Sequence, residues 1–212
     1  MAARTFAETG VTETFTGRAV NAFDLRVEDI CIEDIAHHLS MECRFAGACS
    51  RRYSVGEHSI LVRRFLWVEY GATAEVQLAG LMHDAFEAYA KDIPQPQKGS
   101  VYKMAETRGM HVIADALGFD YPNPLATFTD RVMIWLEVDA FLPSRGVGWQ
   151  DYDSIGADVI AKHQNSIHAK RLRDGPGAES VIEVMFLRDY AALKEEIKAR
   201  GQARSSIPQE SC

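Results

Sequence analysis

Most apolar positions of this chain recur at spacings of three and four residues, which is the period of an amphipathic helix. Alternation of apolar and polar residues, which would indicate strands, is rare. This spacing, together with the Gly and Pro residues between apolar segments, predicts helices at residues 32–40, 54–71, 74–90, 99–117, 124–142, 153–168 and 180–199. The sequence therefore predicts an all-α fold, a helical bundle.

The predicted helices divide the chain into three parts. Residues 1–30 have mixed character and are interpreted as an N-terminal arm, residues 31–199 as a single helical bundle, and residues 200–212 as a disordered tail. A chain of this length can bury about 70% of its unfolded surface, so the bundle needs no covalent cross-links. Its 4 cysteines form no C-x-x-C pair. They are expected to be reduced thiols.

Ser54 and Glu57 have the spacing of a capping box, which marks the start of the 54–71 helix. Gly71 is a plausible C-terminal stop for this helix. His58 shares its apolar face. A lone histidine on such a face is usually a core residue with satisfied hydrogen bonds, so His58 becomes a ligand candidate only in context.

The 74–90 helix is apolar on nearly every side, which predicts a central, buried position. Nevertheless it carries His83, Asp84 and Glu87. Burying an ionisable group costs several kcal/mol unless it is paired or bound to a metal. Two interpretations follow from the residues alone. One is a core histidine hydrogen-bonded to a carboxylate, and the other is a metal site that other helices complete.

A third buried acid is predicted in the 124–142 helix. Asp130 lies on one face with Met133, Ile134 and Glu137, and packing alone does not explain it. Asp139 is a rival candidate for the same role.

Composition narrows the function classes. The formal net charge of −7 argues against binding to duplex nucleic acid but allows a small anionic substrate. No apolar run approaches about 18 residues, and the N-terminus lacks the apolar segment of a signal peptide. We therefore expect a cytoplasmic protein that does not contact a membrane. The sequence contains no P-loop, so an activity driven by ATP hydrolysis is not expected.

Four segments, in order, resemble the HD-domain metal-dependent phosphohydrolases, whose pattern is H…HD…D. They are "CRFAGACSRRYS", "YSVGEHSILV", "MHDAFEAYAKDIPQPQK" and "TDRVMIWLEVDAFL". The likeness covers about residues 16–142 and is strongest to the branch that hydrolyses deoxynucleotides. Bacterial 5′-deoxynucleotidases usually carry Trp where this chain has Phe45, which is a departure that bears on sugar selectivity.

The resemblance implies an HD-domain bundle and a role for each matching residue. The metal ligands would be His58, His83, Asp84 and Asp130. Glu87 would orient or deprotonate the attacking water, and Asp92 would handle a water or a leaving-group proton. The substrate would contact Arg44, Phe45 and Lys98. The register of the last segment favours Asp130 over Asp139.

Two imidazoles and two carboxylates suit one divalent ion such as Mn, Co, Fe, Ni or Zn, with Mg as a further candidate for the phosphates. Such an ion lowers the pKa of bound water and neutralises phosphoryl charge.

The implied reaction is hydrolysis of deoxynucleotides, in the cytosol of a bacterium or a phage-infected host. One version removes the 5′-phosphate of a deoxynucleoside monophosphate. The other releases tripolyphosphate from a deoxynucleoside triphosphate, with dATP the leading candidate because compact phage dATP triphosphohydrolases resemble this branch. Relatives of this kind form dimers or larger rings, so a homo-oligomer is expected. The alternative is a non-catalytic nucleotide sensor that retains the HD metal site.

Overall fold

The computed structural model describes residues 4–175 and 179–205, and in these ranges the chain is predominantly α-helical. The helices are α1 (Ile32–Met41), α2 (Val55–Tyr70), α3 (Ala74–Met82), α4 (Glu87–Ala90), α5 (Ser100–Leu117), α6 (Pro124–Phe141), α7 (Ala157–His163), α8 (Ile167–Asp174) and α9 (Glu179–Ser205). A short antiparallel pair, β1 (Thr12–Glu13) and β2 (Ala19–Val20), precedes them. The prediction of an all-α fold is confirmed.

The ends of α2 follow the predicted signals. The Glu57 amide donates a hydrogen bond of 3.1 Å to Ser54 Oγ, and Gly71 ends the helix with a φ of +56°. The capping box is only half formed, because the Glu57 carboxylate pairs with Arg51 instead of returning to Ser54.

The helices pack around α2 and α3, which contact each other along their lengths. On one side α9 packs against α1 and α3, and on the other α6 packs against α2 and contacts α7 and α8. Two groups of buried apolar side chains fill these interfaces. The first includes Ile35, Leu39, Leu78, Phe86, Ile113 and Phe186, and the second includes Val62, Phe65, Leu66, Met133, Leu136 and Leu172.

The predicted continuous helix at 74–90 is interrupted, which corrects the sequence interpretation. Helix α3 ends at Met82, because the His83 ring donates from Nδ1 to the Gly80 carbonyl at 2.8 Å and so takes a helix acceptor. From Met82 to Glu87 the backbone bonds are of the tighter i to i+3 type. His83 and Asp84 therefore lie in a tight turn, and both are partly buried.

Two further boundaries differ from the prediction. The 153–168 segment forms two helices, since Ser166 accepts a hydrogen bond of 3.2 Å from the Ala169 amide and starts α8 anew. Helix α9 continues to Ser205, so residues 200–205 of the predicted disordered tail are helical. The rest of that tail, residues 206–212, lies outside the described residues.

The remaining predictions concern the N-terminal arm, the state of the cysteines and the absence of a membrane-spanning segment. Residues 4–30 form the short hairpin and two single-turn 3₁₀ segments. Among the described residues Cys31, Cys43 and Cys49 form no disulfide, and Cys212 lies outside the described residues. None of the helices in the described ranges is both long and apolar enough to cross a bilayer.

Candidate functional site: a histidine–aspartate cluster beside a cavity

The residues that were predicted as metal ligands meet in space. His58 comes from the first turn of α2, His83 and Asp84 from the turn after α3, and Asp130 from α6. The two Nε2 atoms lie 3.1 Å apart. His58 Nε2 lies 3.1 Å from Asp130 Oδ1, and His83 Nε2 lies 3.1 Å from Asp84 Oδ2. The crossed distances, from each ring to the other aspartate, are both 3.6 Å.

Each imidazole is oriented by an acceptor at its other nitrogen. His58 Nδ1 donates to the buried carboxylate of Glu137, and His83 Nδ1 donates to the Gly80 carbonyl. A carboxylate and a carbonyl can only accept, so both Nδ1 atoms carry their protons. Both Nε2 atoms are thereby directed at the same point, which is how metal-binding histidines are usually held.

The charges in the cluster reinforce one another. Burial alone would raise the pKa of Asp84, but the adjacent His83 outweighs it and lowers that pKa to about 2. Burial likewise opposes ionisation of Asp130, yet its hydrogen bonds to His58 and His83 hold its pKa well below the usual value. Both acids are therefore carboxylates over the physiological range of pH.

Nitrogen lone pairs and carboxylates that converge at 3.1–3.6 Å repel each other unless a cation or protons lie between them. The His58, His83 and Asp84 side chains could hold a metal ion, since their ligand atoms lie within 4.8 Å of one another. Asp130 adds a carboxylate oxygen on the same point. The donor set of nitrogen and oxygen atoms fits a divalent metal.

Glu137 is the buried centre of the hydrogen bonds around the cluster. Besides the His58 ring, its carboxylate accepts a bond of 2.7 Å from the Tyr53 hydroxyl and lies 3.2 Å from Arg44 Nη2. Arg44 Nη1 also lies 3.2 Å from Asp84 Oδ2. The sequence placed Glu137 on the face of Asp130 but did not assign it this role.

Asp139, the rival candidate for the last ligand, faces away from the cluster. Its carboxylate forms an ion pair of 2.6 Å with Arg145 near the surface. The geometry therefore agrees with the choice of Asp130.

A cavity of about 630 Å³ opens directly beside the cluster. Its walls include the ligand candidates Asp84 and Asp130 together with all the predicted catalytic and substrate-binding residues, namely Arg44, Phe45, Glu87, Asp92 and Lys98. The ligand cluster and the predicted catalytic and substrate-binding residues thus share one site.

The acids and the lysine of this cavity are electrostatically linked. Burial, followed by the charges of Asp84 and Asp92, raises the pKa of Glu87 well above its ordinary value. Glu87 Oε1 lies 3.6 Å from Lys98 Nζ, which also pairs with Glu106 at 2.6 Å. Within the described residues the buried Glu87 Oε2 has no hydrogen-bond partner.

The cavity wall also contains residues that were not predicted from the sequence. Trp149 and Gln150 reach it from the loop between α6 and α7. The Trp149 ring packs edge-on against Phe45 with centroids 6.2 Å apart. A single Trp that follows Gly148 carries no motif, so its only sequence signal was aromatic character in a loop.

The known proteins that this chain is similar to are described without a function. No family model matches the chain. The uncharacterized protein YfdR of Escherichia coli is 37% identical over 130 residues, which cover 59% of this chain and 68% of YfdR. The uncharacterized protein RCAP_rcc00048 of Rhodobacter capsulatus is 38% identical over 91 residues, which cover 42% of this chain and 46% of that protein.

Proposed function

This chain belongs to the family of YfdR, and we propose that it is a divalent-metal-dependent phosphohydrolase of the HD-domain type that acts on deoxynucleotides. The observation that carries the proposal is the convergence of two Nε2 atoms and two carboxylates beside a cavity lined by further acids and cations. Catalysis of phosphoryl transfer needs these components: a metal site, a group that handles the proton of water, and cations for the phosphate.

The bound ion, which could be Mn, Co, Fe, Ni or Zn, would polarise the phosphoryl group and neutralise its charge. His58, His83, Asp84 and Asp130 would hold it. Glu87 lines the same cavity as Asp84 and would accept a proton from the attacking water. Asp92 lies in the same wall and would pass a proton to the leaving oxygen.

The substrate would be held by the rest of the cavity. Lys98 is a buried ammonium that balances Glu87 and Glu106, and it supplies a point charge for a phosphate. Arg44 is also buried, and its bonds to Asp84 and Glu137 fix its guanidinium beside the ligand cluster. Phe45 offers a face for the sugar or base. A cavity of this size accommodates one nucleotide.

Both reactions under consideration form and break the same bonds. Water adds its oxygen to phosphorus, the bond from phosphorus to the 5′-oxygen breaks, and the proton of the water passes to that oxygen. A monophosphate would give a deoxynucleoside and phosphate, and a triphosphate would give a deoxynucleoside and tripolyphosphate.

The test is hydrolysis of ribo- and deoxynucleotide mono- and triphosphates, with Mn, Co, Fe, Ni, Zn and Mg in turn and with products separated by ion-exchange chromatography. Metal-dependent release of phosphate or tripolyphosphate from deoxynucleotides is the expected result. Nucleotide binding with no turnover under any of these metals would contradict the enzyme and favour a nucleotide sensor. Metal-independent turnover would overturn the proposed site.

A further inference from the structure

A second cavity, of about 460 Å³, lies between α2, α8 and α9 and shares no lining residue with the first. Three cationic side chains line it, Arg64 from α2 and the pair Lys170 and Arg171 from α8. The buried apolar side chains of Ile60, Leu61 and Ile182 form part of its wall. The cavity therefore combines a charged side with an apolar side.

Arg64 is the unusual member of this group. Within the described residues it makes no hydrogen bond and no ion pair, although it is partly buried. Burial and the neighbouring guanidinium of Arg171 lower the pKa of Arg64, and Arg63 and Arg188 act in the same direction. The nearby Asp189 does not compensate, because it is shared between Arg188 at 2.9 Å and Arg63 at 3.6 Å.

The acids of the cavity do not neutralise its cations. Glu57 lines the cavity, but both of its oxygens accept bonds from Arg51, at 2.7 Å and 2.9 Å. Asp174 at the end of α8 is exposed, as are Lys170 and Arg171, and it can offset only one of the three positive charges. Lys170, Arg171 and Arg64 thus leave a local positive excess in a chain whose net charge is −7. Cations at a helix C-terminus interact favourably with its dipole, which accounts for Lys170 and Arg171 but not for Arg64 on α2.

We propose that this cavity is a second binding site, for a small anion that carries phosphate groups. A guanidinium presents paired donors that match phosphate oxygens, and a partly dehydrated guanidinium without a protein partner loses little hydration when it binds one. Arg64 would bind the phosphate from α2, Arg171 and Lys170 from α8, and the apolar wall would contact any organic part of the ligand. The site is independent of the proposed phosphohydrolase activity.

The experiment is calorimetric titration of the full chain with pyrophosphate and, in a second arm, with ATP. The variants are Arg64→Gln and Arg171→Gln, and the matched control is Arg173→Gln, which removes the same charge from α8 outside the cavity lining. Lys98→Gln removes a cation from the other cavity and identifies binding there. Losing one charge-assisted phosphate contact costs about 1.5–3 kcal/mol, which is roughly a 10- to 100-fold weaker affinity.

In the Lys98→Gln background, where the binding that remains is that of the second cavity, the expected result is that Arg64→Gln and Arg171→Gln weaken binding at least about tenfold, while Arg173→Gln leaves it unchanged. Binding of pyrophosphate would identify phosphate alone as sufficient, and binding of ATP only would require an organic part. Without ligand, Arg64→Gln should melt at the same temperature as wild type or higher, because it removes a repelled cation. Wild-type affinity in Arg64→Gln, or no binding of either ligand to wild type, would overturn the proposal.

Discussion

His58 and His83 present their Nε2 atoms to each other across 3.1 Å, and neither can turn its ring without losing a bond at Nδ1. For His58 that bond goes to a buried carboxylate, and for His83 it goes to a backbone carbonyl inside the core. The two rings are therefore held in the orientation of ligands before any ion binds. A divalent ion bound between them would meet ligand atoms that already face it.

Removal of the Asp130 carboxylate should weaken metal binding while the protein still folds. Asp130→Asn replaces a carboxylate by a neutral amide, so we expect bound divalent metal to fall and metal-dependent turnover to decrease by at least about 100-fold. Metal content by mass spectrometry and hydrolysis rates would measure both. The matched control is Asp139→Asn on the same helix, whose carboxylate pairs only with Arg145 among the described residues. Equal metal content in the two variants would contradict the assignment of Asp130.

Glu137 should act as a positioning residue. Glu137→Gln keeps the shape but removes the charge that Arg44 and His58 share, so we expect metal affinity to fall about 10- to 100-fold. Tyr53→Phe is the control, because it removes one neutral donor to the same carboxylate and leaves both charges in place. Competition titration against a fluorescent chelator would measure the affinities. A purely structural role would lower the melting temperature of Glu137→Gln and leave the affinity of the folded protein unchanged.

The helices could be predicted because their ends have local sequence causes, whereas the four candidate ligands were predicted from the resemblance to HD-domain phosphohydrolases. Ser54 begins α2 with a side-chain cap, and Gly71 ends it with a left-handed backbone. Both signals depend on neighbours a few positions away. The break after Met82 could not be predicted in the same way, because it depends on the His83 ring taking the Gly80 carbonyl.

The roles of Glu137 and Trp149 were harder to predict from the sequence, for a different reason. Glu137 gains its role from Tyr53 and Arg44, which approach it only through tertiary packing. Trp149 lies in a loop whose course follows no periodic pattern, and only the folded chain brings it to Phe45. Residues that act through distant partners leave little trace in local spacing.

Gly109 should be intolerant of any side chain. A Cβ there would lie 2.4 Å from the buried Phe86 ring, next to the turn that carries the HD pair. Gly109→Ala should therefore destabilise the protein by about 1–3 kcal/mol, because neither α5 nor the ring can move freely. Gly201→Ala is the control, since it lies on α9 with open space around it and should stabilise by about 0.5–1 kcal/mol. Chemical denaturation would measure both, and equal effects would contradict the packing argument.

His168 should make stability depend on pH. It is buried against the Phe65 ring, with centroids 4.5 Å apart, and its Nε2 lies 3.2 Å from Glu69 Oε1. Burial lowers the pKa of His168, and the charges of His163 and Arg171 add to this, against the opposing effect of Glu69.

A histidine with a lowered folded-state pKa binds its proton more readily when unfolded, so its contribution to stability is lost as pH falls below about 6.5. We expect the free energy of unfolding of wild type to fall more between pH 7.5 and pH 5.5 than that of His168→Gln. Denaturant titrations at both pH values, with the exposed His111→Gln as control, would measure the difference. A parallel decrease in all three proteins would show that His168 does not contribute.

Trp149 should contribute to substrate binding and not to the chemical step. It lines the cavity and packs against Phe45, so an aromatic base entering there would stack on one or both rings. Stacking of a base on an aromatic side chain is worth about 1–3 kcal/mol. Trp149→Ala should therefore raise the KM for a deoxynucleotide by roughly tenfold and change kcat by less than about threefold. Trp67→Ala removes an exposed tryptophan that does not line the cavity and should change neither constant. A collapse of kcat with unchanged KM would instead place Trp149 among the groups that act on the reacting phosphate.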